Sequence, residues 1–327
     1  MFKKLGLLFA GLVTAFGLQA APANFTQAKN ELRQYIYHDQ NRNSGGDVYC
    51  GCDWEWVGRS GGRVDLKACG YKVRAQPNRA ERIEWEHIVP ASNFGRARQC
   101  WQNGGRKNCT ATDPIFSKME ADMHNLAPAV GEINADRQNY NFGFVGLSSF
   151  SYGACDFKVD TKNRIAEPKN EIKGMLARVY FYMHDRYNLP MSRQQQQLLM
   201  QWDKQYPPSQ WELERDRRIA ARMGHSNPFV TGEIKWSLGH KNSGVGLSGK
   251  NNQQAVPHTA SAQQLTSHSD TTPAINNGPI RGNRNSKIYH FHQGCPSYDK
   301  VAPHNRVEFP SAAAAEAAGY RMARNCR

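Results

Sequence analysis

The segment Glu84-Trp85-Glu86-His87-Ile88-Val89-Pro90 places two carboxylates and an imidazole within four consecutive residues. A carboxylate oxygen is a hard ligand suited to Mg²⁺ or Ca²⁺. A neutral imidazole can take a proton from water near neutral pH. On a strand, Glu84 and Glu86 share a face while His87 points the other way. A bend at Pro90 would let Glu86 and His87 serve one site. A surface strand with a hydrogen-bonded His is the other reading of these residues taken alone.

A second polar segment, Met119-Glu120-Ala121-Asp122-Met123-His124-Asn125-Leu126-Ala127-Pro128, continues through Gly131-Glu132-Ile133-Asn134-Ala135-Asp136-Arg137. Asn125 and Asn134 can each offer an amide oxygen. Mg²⁺ keeps several waters and needs only one or two protein oxygens, so a carboxylate and an Asn would suffice. Each Asn could equally be a cap or turn residue. Between the two segments, Cys100 and Cys109 are spaced for a short disulfide loop with Arg106 and Lys107 at its tip. A guanidinium fork there would suit phosphate, or the loop is simply basic and solvated.

These residues need elements to position them. Phe25, Ala28, Leu32, Tyr35 and Ile36 recur at helical spacing, as do Ile172, Met175, Leu176, Val179 and Met183. Ser192 opens a Gln-rich helix that must stop before Pro207-Pro208. Ser209 and Glu212 form a capping box for another helix, which Gly224 can end. Arg82 to Val89 reads as extended. The region from 46 to 110 is rich in Gly and Cys. The expectation is an α+β domain whose middle is loop-rich and cross-linked.

The chain of 327 residues carries 42 Lys and Arg against 28 Asp and Glu, a net +14, and is 39 % hydrophobic. That excludes collagen-like, coiled-coil and wholly disordered classes. The surplus favours a polyanionic partner without identifying it. Lys3, Lys4, an apolar run from Leu5 to Leu18 and the exit Gln19-Ala20-Ala21 describe a secretory signal peptide over 1–20. The run is too short to span a membrane, so no span is expected after cleavage. The expectation is an exported chain, periplasmic or secreted. No Phe, Trp or Tyr lies between Trp236 and Tyr289. The reading is a domain over 21–236, a flexible linker over 237–284 and a small module over 285–327.

Trp85-Glu86-His87-Ile88-Val89-Pro90, Arg98-Gln99-Cys100-Trp101, Gly104-Gly105-Arg106-Lys107-Asn108-Cys109 and His124-Asn125-Leu126-Ala127-Pro128 through Asp136-Arg137 occur in this order. Together they closely resemble the bacterial endonuclease I family, non-specific nucleases of the ββα-metal (His-Me finger) class. The resemblance covers about residues 24–230, with Tyr49-Cys50-Gly51-Cys52 included. It implies a ββα-metal core in a mostly helical, disulfide-stapled domain. It implies Glu86 and Asn134 as ligands of one divalent metal, Mg²⁺ with Mn²⁺ or Ca²⁺ as substitutes. It implies His87 as general base, Arg106 as the contact to the scissile phosphate and Glu120 as an acidic residue near the active centre. His124 and Asn125 would orient the site. Double- and single-stranded DNA, and RNA, would be cleaved without sequence preference by a monomer, leaving 5′-phosphates.

An oxidising compartment favours disulfides over zinc. Six cysteines lie in the main domain. Besides Cys100–Cys109, the pairings expected are Cys52–Cys69 and Cys50–Cys155, which would pin the Gly-rich segment to the core. The tail, Tyr289-His290-Phe291-His292-Gln293-Gly294-Cys295 through Asn325-Cys326-Arg327, resembles the metal-binding domain of the Ada DNA-repair protein. That domain has four Cys ligands, and this tail has only Cys295 and Cys326. His290, His292 or His304 could complete a Zn²⁺ site; a Cys295–Cys326 disulfide is the simpler expectation. The tail's net charge of +3 would suit an accessory DNA contact. Two other readings compete: an exported DNA-binding or uptake protein without catalysis, and a polybasic envelope-binding protein. The complete set Glu86, His87 and Asn134 argues against both.

Overall fold

A computed structural model describes residues 21–146, 150–248, 280–291, 295–309, 315, 318–323 and 326. The expected leader over 1–20, residues 249–279 of the expected linker, and His292 lie outside the described residues.

Asn24 opens α1 (Phe25–Glu31) by accepting a hydrogen bond from Gln27 N at 2.9 Å. The chain continues through a π-helical segment, Leu32–Ile36. The periodic residues Ala28, Leu32 and Ile36 are buried against Trp85, Met123, Leu126 and Ile219. The N-terminal helix therefore shares a core with the strand that carries the acidic pair.

That strand belongs to an antiparallel sheet. β1 (Trp54–Val57) pairs with β2 (Gly61–Val64). A short helix, α2 (Pro77–Ala80), leads to β3 (Arg82–His87). β3 pairs with β4 (Leu126–Val130), with Glu86 opposite Ala127 and His87 opposite Leu126. β3 ends at His87 rather than at Val89. The Asn125 side chain takes both backbone groups of Val89, accepting from its N at 2.7 Å and donating to its O at 2.9 Å.

Four helices fill the span between β3 and β4: α3 (Ala91–Gly95), α4 (Gln99–Gln102), α5 (Gly105–Thr112) and α6 (Pro114–Glu120). Arg106 and Lys107 thus sit in the first turn of α5, not at the tip of an irregular loop. A 3₁₀ turn, Met123–Asn125, precedes β4, and α7 (Gly131–Arg137) follows β4 directly. Gly131 lets α7 press onto β3, since a Cβ there would lie 2.9 Å from the Glu84 carboxyl and 2.6 Å from Arg79 O. The buried Glu132 carboxylate fixes the start of α7 by accepting from the backbone N of Arg74, Ala75 and Gln76 and from the Tyr71 hydroxyl.

A small mixed sheet follows, with β5 (Asn141–Phe142), β6 (Lys158–Asp160) and β7 (Ile165–Glu167) in the order β5-β7-β6. The closing helices are α8 (Asn170–Arg186), α9 (Arg193–Gln205), α10 (Gln210–Met223) and α11 (Pro228–Thr231). Ser192 and Ser209 cap α9 and α10, and Gly224 ends α10 at φ 78°. The capping box is only half made. The Glu212 carboxylate turns inward to pair with Arg178 of α8 at 2.7 and 2.6 Å, because that buried guanidinium needs a counter-charge. The arrangement is α+β.

The linker expected over 237–284 is shorter at both ends. His240 Nε2 lies 2.7 Å from Asp185 Oδ1, Ser243 Oγ donates to Asp185 Oδ2 at 2.6 Å, and Lys118 Nζ donates to Gly246 O at 3.0 Å. Residues 237–248 are therefore part of the main domain. At the other end β8 (Ile280–Asn283) already belongs to the tail module. It forms a sheet with β9 (Ile288–His290), β10 (Arg306–Phe309) and β11 (Arg321–Met322), in the order β10-β8-β9-β11.

The cysteines pair as Cys50–Cys155, Cys52–Cys69, Cys100–Cys109 and Cys295–Cys326. The last bond occupies both sulfurs that a Zn²⁺ site in the tail would use. His290 lies beside them, its ring nitrogen within 4.8 Å of both, while His304 sits in the turn Pro303–Asn305. Among the described residues no helix is long and apolar enough to cross a membrane.

Candidate active site

β3 presents two different environments. Its Glu84 and Glu86 side faces α7. Glu84 accepts from Arg79 Nε and Arg82 Nε, each at 3.0 Å, and from Asn134 Nδ2 at 2.9 Å. Glu86 is buried, accepts from the Tyr49 hydroxyl at 2.8 Å and pairs with Arg137 Nη1 at 3.0 Å. Asn134 and Arg137 lie one turn apart on α7. The two expected metal ligands thus face the same helix–strand interface. They do not touch each other: the Asn134 amide is held by Glu84, not by Glu86.

The donor set suits a hard divalent cation. Tyr49 and Arg137 both act on Glu86 Oε1, and among the described residues Oε2 carries no hydrogen bond. Asn134 donates through its nitrogen, and among the described residues its amide oxygen has no donor. One carboxylate oxygen and one amide oxygen match the small protein share of a Mg²⁺ shell. Burial pushes the Glu86 carboxyl upward while Arg137 and Tyr49 pull it down. A cation at the free oxygen would favour the ionised form further.

His87, on the opposite side, has largely apolar neighbours. Its ring centroid is 4.8 Å from that of Phe25 and 6.2 Å from that of Phe94. Nε2 lies 2.9 Å from the Glu120 carbonyl oxygen. A donor nitrogen facing a carbonyl leaves the other ring nitrogen as acceptor. Burial, with the nearby Arg106 charge, pulls the His87 pKa down to about 3. The imidazole is therefore neutral at neutral pH, the form a general base requires.

Glu120 serves this side twice. Its backbone holds His87, and its carboxylate accepts from Arg106 Nε at 2.6 Å and from Thr110 Oγ1 at 3.0 Å. Arg106 remains half exposed, and among the described residues its outer nitrogens carry no hydrogen bond. Cys100–Cys109 and the Asp113 cap of α6 hold the two helices that carry this pair. A cleft of about 790 Å³ opens beside Phe25, Arg106, Lys107, Thr110 and Glu120.

The Asn125 side chain fixes Val89, two residues after His87. His124 does not reach the site. Its Nε2 lies 3.1 Å from the His225 carbonyl oxygen, and its ring packs on Tyr182, against α8 and the end of α10. The turn Met123–Asn125 sends these adjacent side chains to opposite sides. His124 belongs to a buried network with Asp122, Tyr182 and His225.

The sequence profile of the family described as Endonuclease I matches residues 24–233. The chain belongs to the endonuclease I family. A periplasmic deoxyribonuclease of Aeromonas hydrophila is 49 % identical over 222 residues, 67 % of this chain and 90 % of that protein. An extracellular deoxyribonuclease of the same species is 45 % identical over 225 residues, 68 % of this chain and 96 % of that protein. An extracellular ribonuclease of Bacillus subtilis is 28 % identical over 127 residues, 33 % of this chain and 43 % of that protein. Endonuclease I enzymes generally use a divalent metal. The tail module lies outside the family match.

Three further residues of this candidate site stand out in the structure. Arg137 is fully buried, pairs with Glu86, and donates to the carbonyl oxygens of His87 at 3.1 Å and Ile88 at 2.6 Å. It links the two sides of β3. Its place at the end of the motif that runs through Asp136-Arg137, and its spacing of three from Asn134, are the sequence signals that could have exposed it. Tyr49 and Phe25 come from distant segments; the helical repeat that contains Phe25 and the Tyr49-Cys50-Gly51-Cys52 run mark an element and a resemblance, but not contact with Glu86 or His87.

Proposed function

We propose that the chain is an exported, non-specific endonuclease that hydrolyses phosphodiester bonds of DNA, and of RNA, as a monomer. The His87 imidazole, held through Nε2 by the carbonyl of Glu120, whose carboxylate holds Arg106, carries this reading. β3, β4 and α7 in succession form the ββα-metal motif of this proposal. Glu86 and Asn134 would hold one divalent metal, Mg²⁺ or Mn²⁺. When bound, that ion supplies charge stabilisation at the phosphate and leaving oxygen. His87 takes the proton from a water that attacks phosphorus, and the 3′ oxygen leaves, so the product carries a 5′-phosphate. Arg106 offers its free nitrogens to a non-bridging oxygen as negative charge builds. Glu120 keeps both groups in place. Contacts to phosphates carry no sequence information, which accounts for the lack of specificity. The names of the Aeromonas relatives support DNA as substrate and export to periplasm or medium, and that of the Bacillus relative supports RNA.

Supercoiled plasmid and a long single-stranded RNA, each incubated with the oxidised protein and Mg²⁺, test this. Both should be fragmented, and EDTA should stop the reaction. Fragments should accept a labelled 5′-phosphate from polynucleotide kinase only after phosphatase treatment. Cleavage unaffected by EDTA, or 5′ ends that accept label directly, would contradict the mechanism.

A further inference from the structure

Phe25 stands at the first position of α1, far from the catalytic motifs in sequence, yet its ring packs on the His87 imidazole at a centroid distance of 4.8 Å. The Arg106 guanidinium lies 5.4 Å from the same ring, and Lys29 Nζ lies 4.7 Å from it. One aromatic ring therefore touches the base and the phosphate-binding cation together. Its edge positive and face negative character suits contact with both an imidazole and a guanidinium.

The ring is anchored from behind. Asn24 caps α1, and Ala23 N donates to Gln27 Oε1 at 3.1 Å. Gln27 Nε2 donates to Glu31 Oε1 at 2.9 Å, and Glu31 pairs with Arg222 of α10 at 3.0 Å. Ala28 and Leu32 sit in the core. Phe25 is thus held by a fixed helix, not by a loose terminus.

His87 and Arg106 need such a partner. Among the described residues the His87 ring makes one hydrogen bond, to Glu120 O, so its orientation about that contact is set by the rings packed on it. Arg106 is tied through Nε to Glu120, while its outer half is exposed. A ring between them limits the motion of both.

We propose that Phe25 is a positioning residue of the endonuclease, holding the His87 imidazole and the Arg106 guanidinium in the orientation that attack on phosphate requires. The proposal rests on the reading of His87 as base and Arg106 as phosphate ligand. Phe25 touches neither metal nor water in the reaction; it acts through its two neighbours. A misplaced base lowers the rate of the chemical step without weakening binding of the polyanion in proportion.

The test is steady-state cleavage of plasmid by the full, oxidised protein in Mg²⁺, comparing wild type with Phe25→Ala, Phe25→Leu, Phe25→Tyr and Phe25→Trp. Thermal melting of each variant shows that it is folded. Phe25→Ala should lower kcat roughly 10- to 100-fold, with KM for DNA changed less than about threefold. Phe25→Tyr and Phe25→Trp should restore most of kcat, and Phe25→Leu, which fills space without a ring quadrupole, should restore less. Wild-type kcat in Phe25→Ala would overturn the proposal. So would a rise in KM alone, or full rescue by Phe25→Leu with none by Phe25→Tyr and Phe25→Trp. If His87→Ala and Arg106→Ala cleave as wild type, the underlying reading fails instead, whatever Phe25→Ala does.

Discussion

The two sides of β3 have different surroundings. Toward α7, Glu84 and Glu86 meet Arg79, Arg82, Asn134, Arg137 and Tyr49, so each carboxylate has charged partners; Glu86, Arg137 and Tyr49 are buried, whereas Arg82 is exposed. On the other side His87 meets Phe25, Phe94 and one carbonyl. Alternation along a strand gives adjacent residues opposite surroundings at no cost in sequence. An acid that must stay charged and a base that must stay neutral can then be neighbours in the chain. Burial without a counter-charge lowers the imidazole pKa, while at the Glu86 carboxyl Arg137 offsets only part of the upward push of burial.

Arg137 is where the comparison is most easily broken, since it pairs with Glu86 and grips the carbonyls of His87 and Ile88. Arg137→Ala would leave Glu86 buried without its cation. Breaking one half of such a pair costs about 3–5 kcal/mol. Chemical denaturation should show a loss of that size, with cleavage reduced on both counts. A loss below about 1 kcal/mol, the range of exposed pairs, would show that Glu86 is solvated and that the contrast between the sides is small.

The next effect concerns what clamps the sheet to the rest of the domain. Cys50–Cys155 closes a separation of 105 residues around it. Losing one such bond costs about 2–5 kcal/mol. Reduced protein should melt lower and cleave little DNA, whereas the tail module has only Cys295–Cys326 to lose. Full activity after complete reduction would contradict this.

A smaller effect follows from the buried histidines. Burial pulls His124 down to about 3 and His225 to about 4, below the ordinary 6.5. Between those values the unfolded chain binds more protons than the folded one, so stability rises with pH there. Their contribution is complete above pH 6.5 and is lost as pH falls toward 4. The melting temperature should drop over that window. His124→Asn and His225→Asn should flatten the drop. An unchanged slope would place these rings in solvent.

Much of this was legible in the sequence, for local reasons. Ser192, Ser209, Gly224 and Pro207 fix helix ends through capping and lost donors. The acidic pair and His87 fall on alternate sides because a strand has period two. The disulfide Cys100–Cys109 follows from short spacing. What stayed hidden depends on long-range contacts. Tyr49 reaches Glu86 across 37 residues and Arg137 reaches His87 across 50. His124 lies next to Asn125, yet a single 3₁₀ turn sends it away from the site. Residues 237–248 read as linker because they are polar, but Asp185 accepts from Ser243 N and Oγ and pairs with His240. Composition cannot distinguish a solvated polar segment from one whose polar groups are satisfied by the fold.

The division of labour across β3 is tested most directly by measuring Mn²⁺ binding and plasmid cleavage together in Glu86→Ala and His87→Ala. Mn²⁺ binding can be followed by electron paramagnetic resonance without substrate. Glu86→Ala should lose both binding and cleavage. His87→Ala should bind Mn²⁺ like wild type while cleavage falls about 10²- to 10⁴-fold, the contribution of a general base. Loss of Mn²⁺ binding in His87→Ala, or retention of it in Glu86→Ala, would show that the two sides of the strand do not hold separate functions.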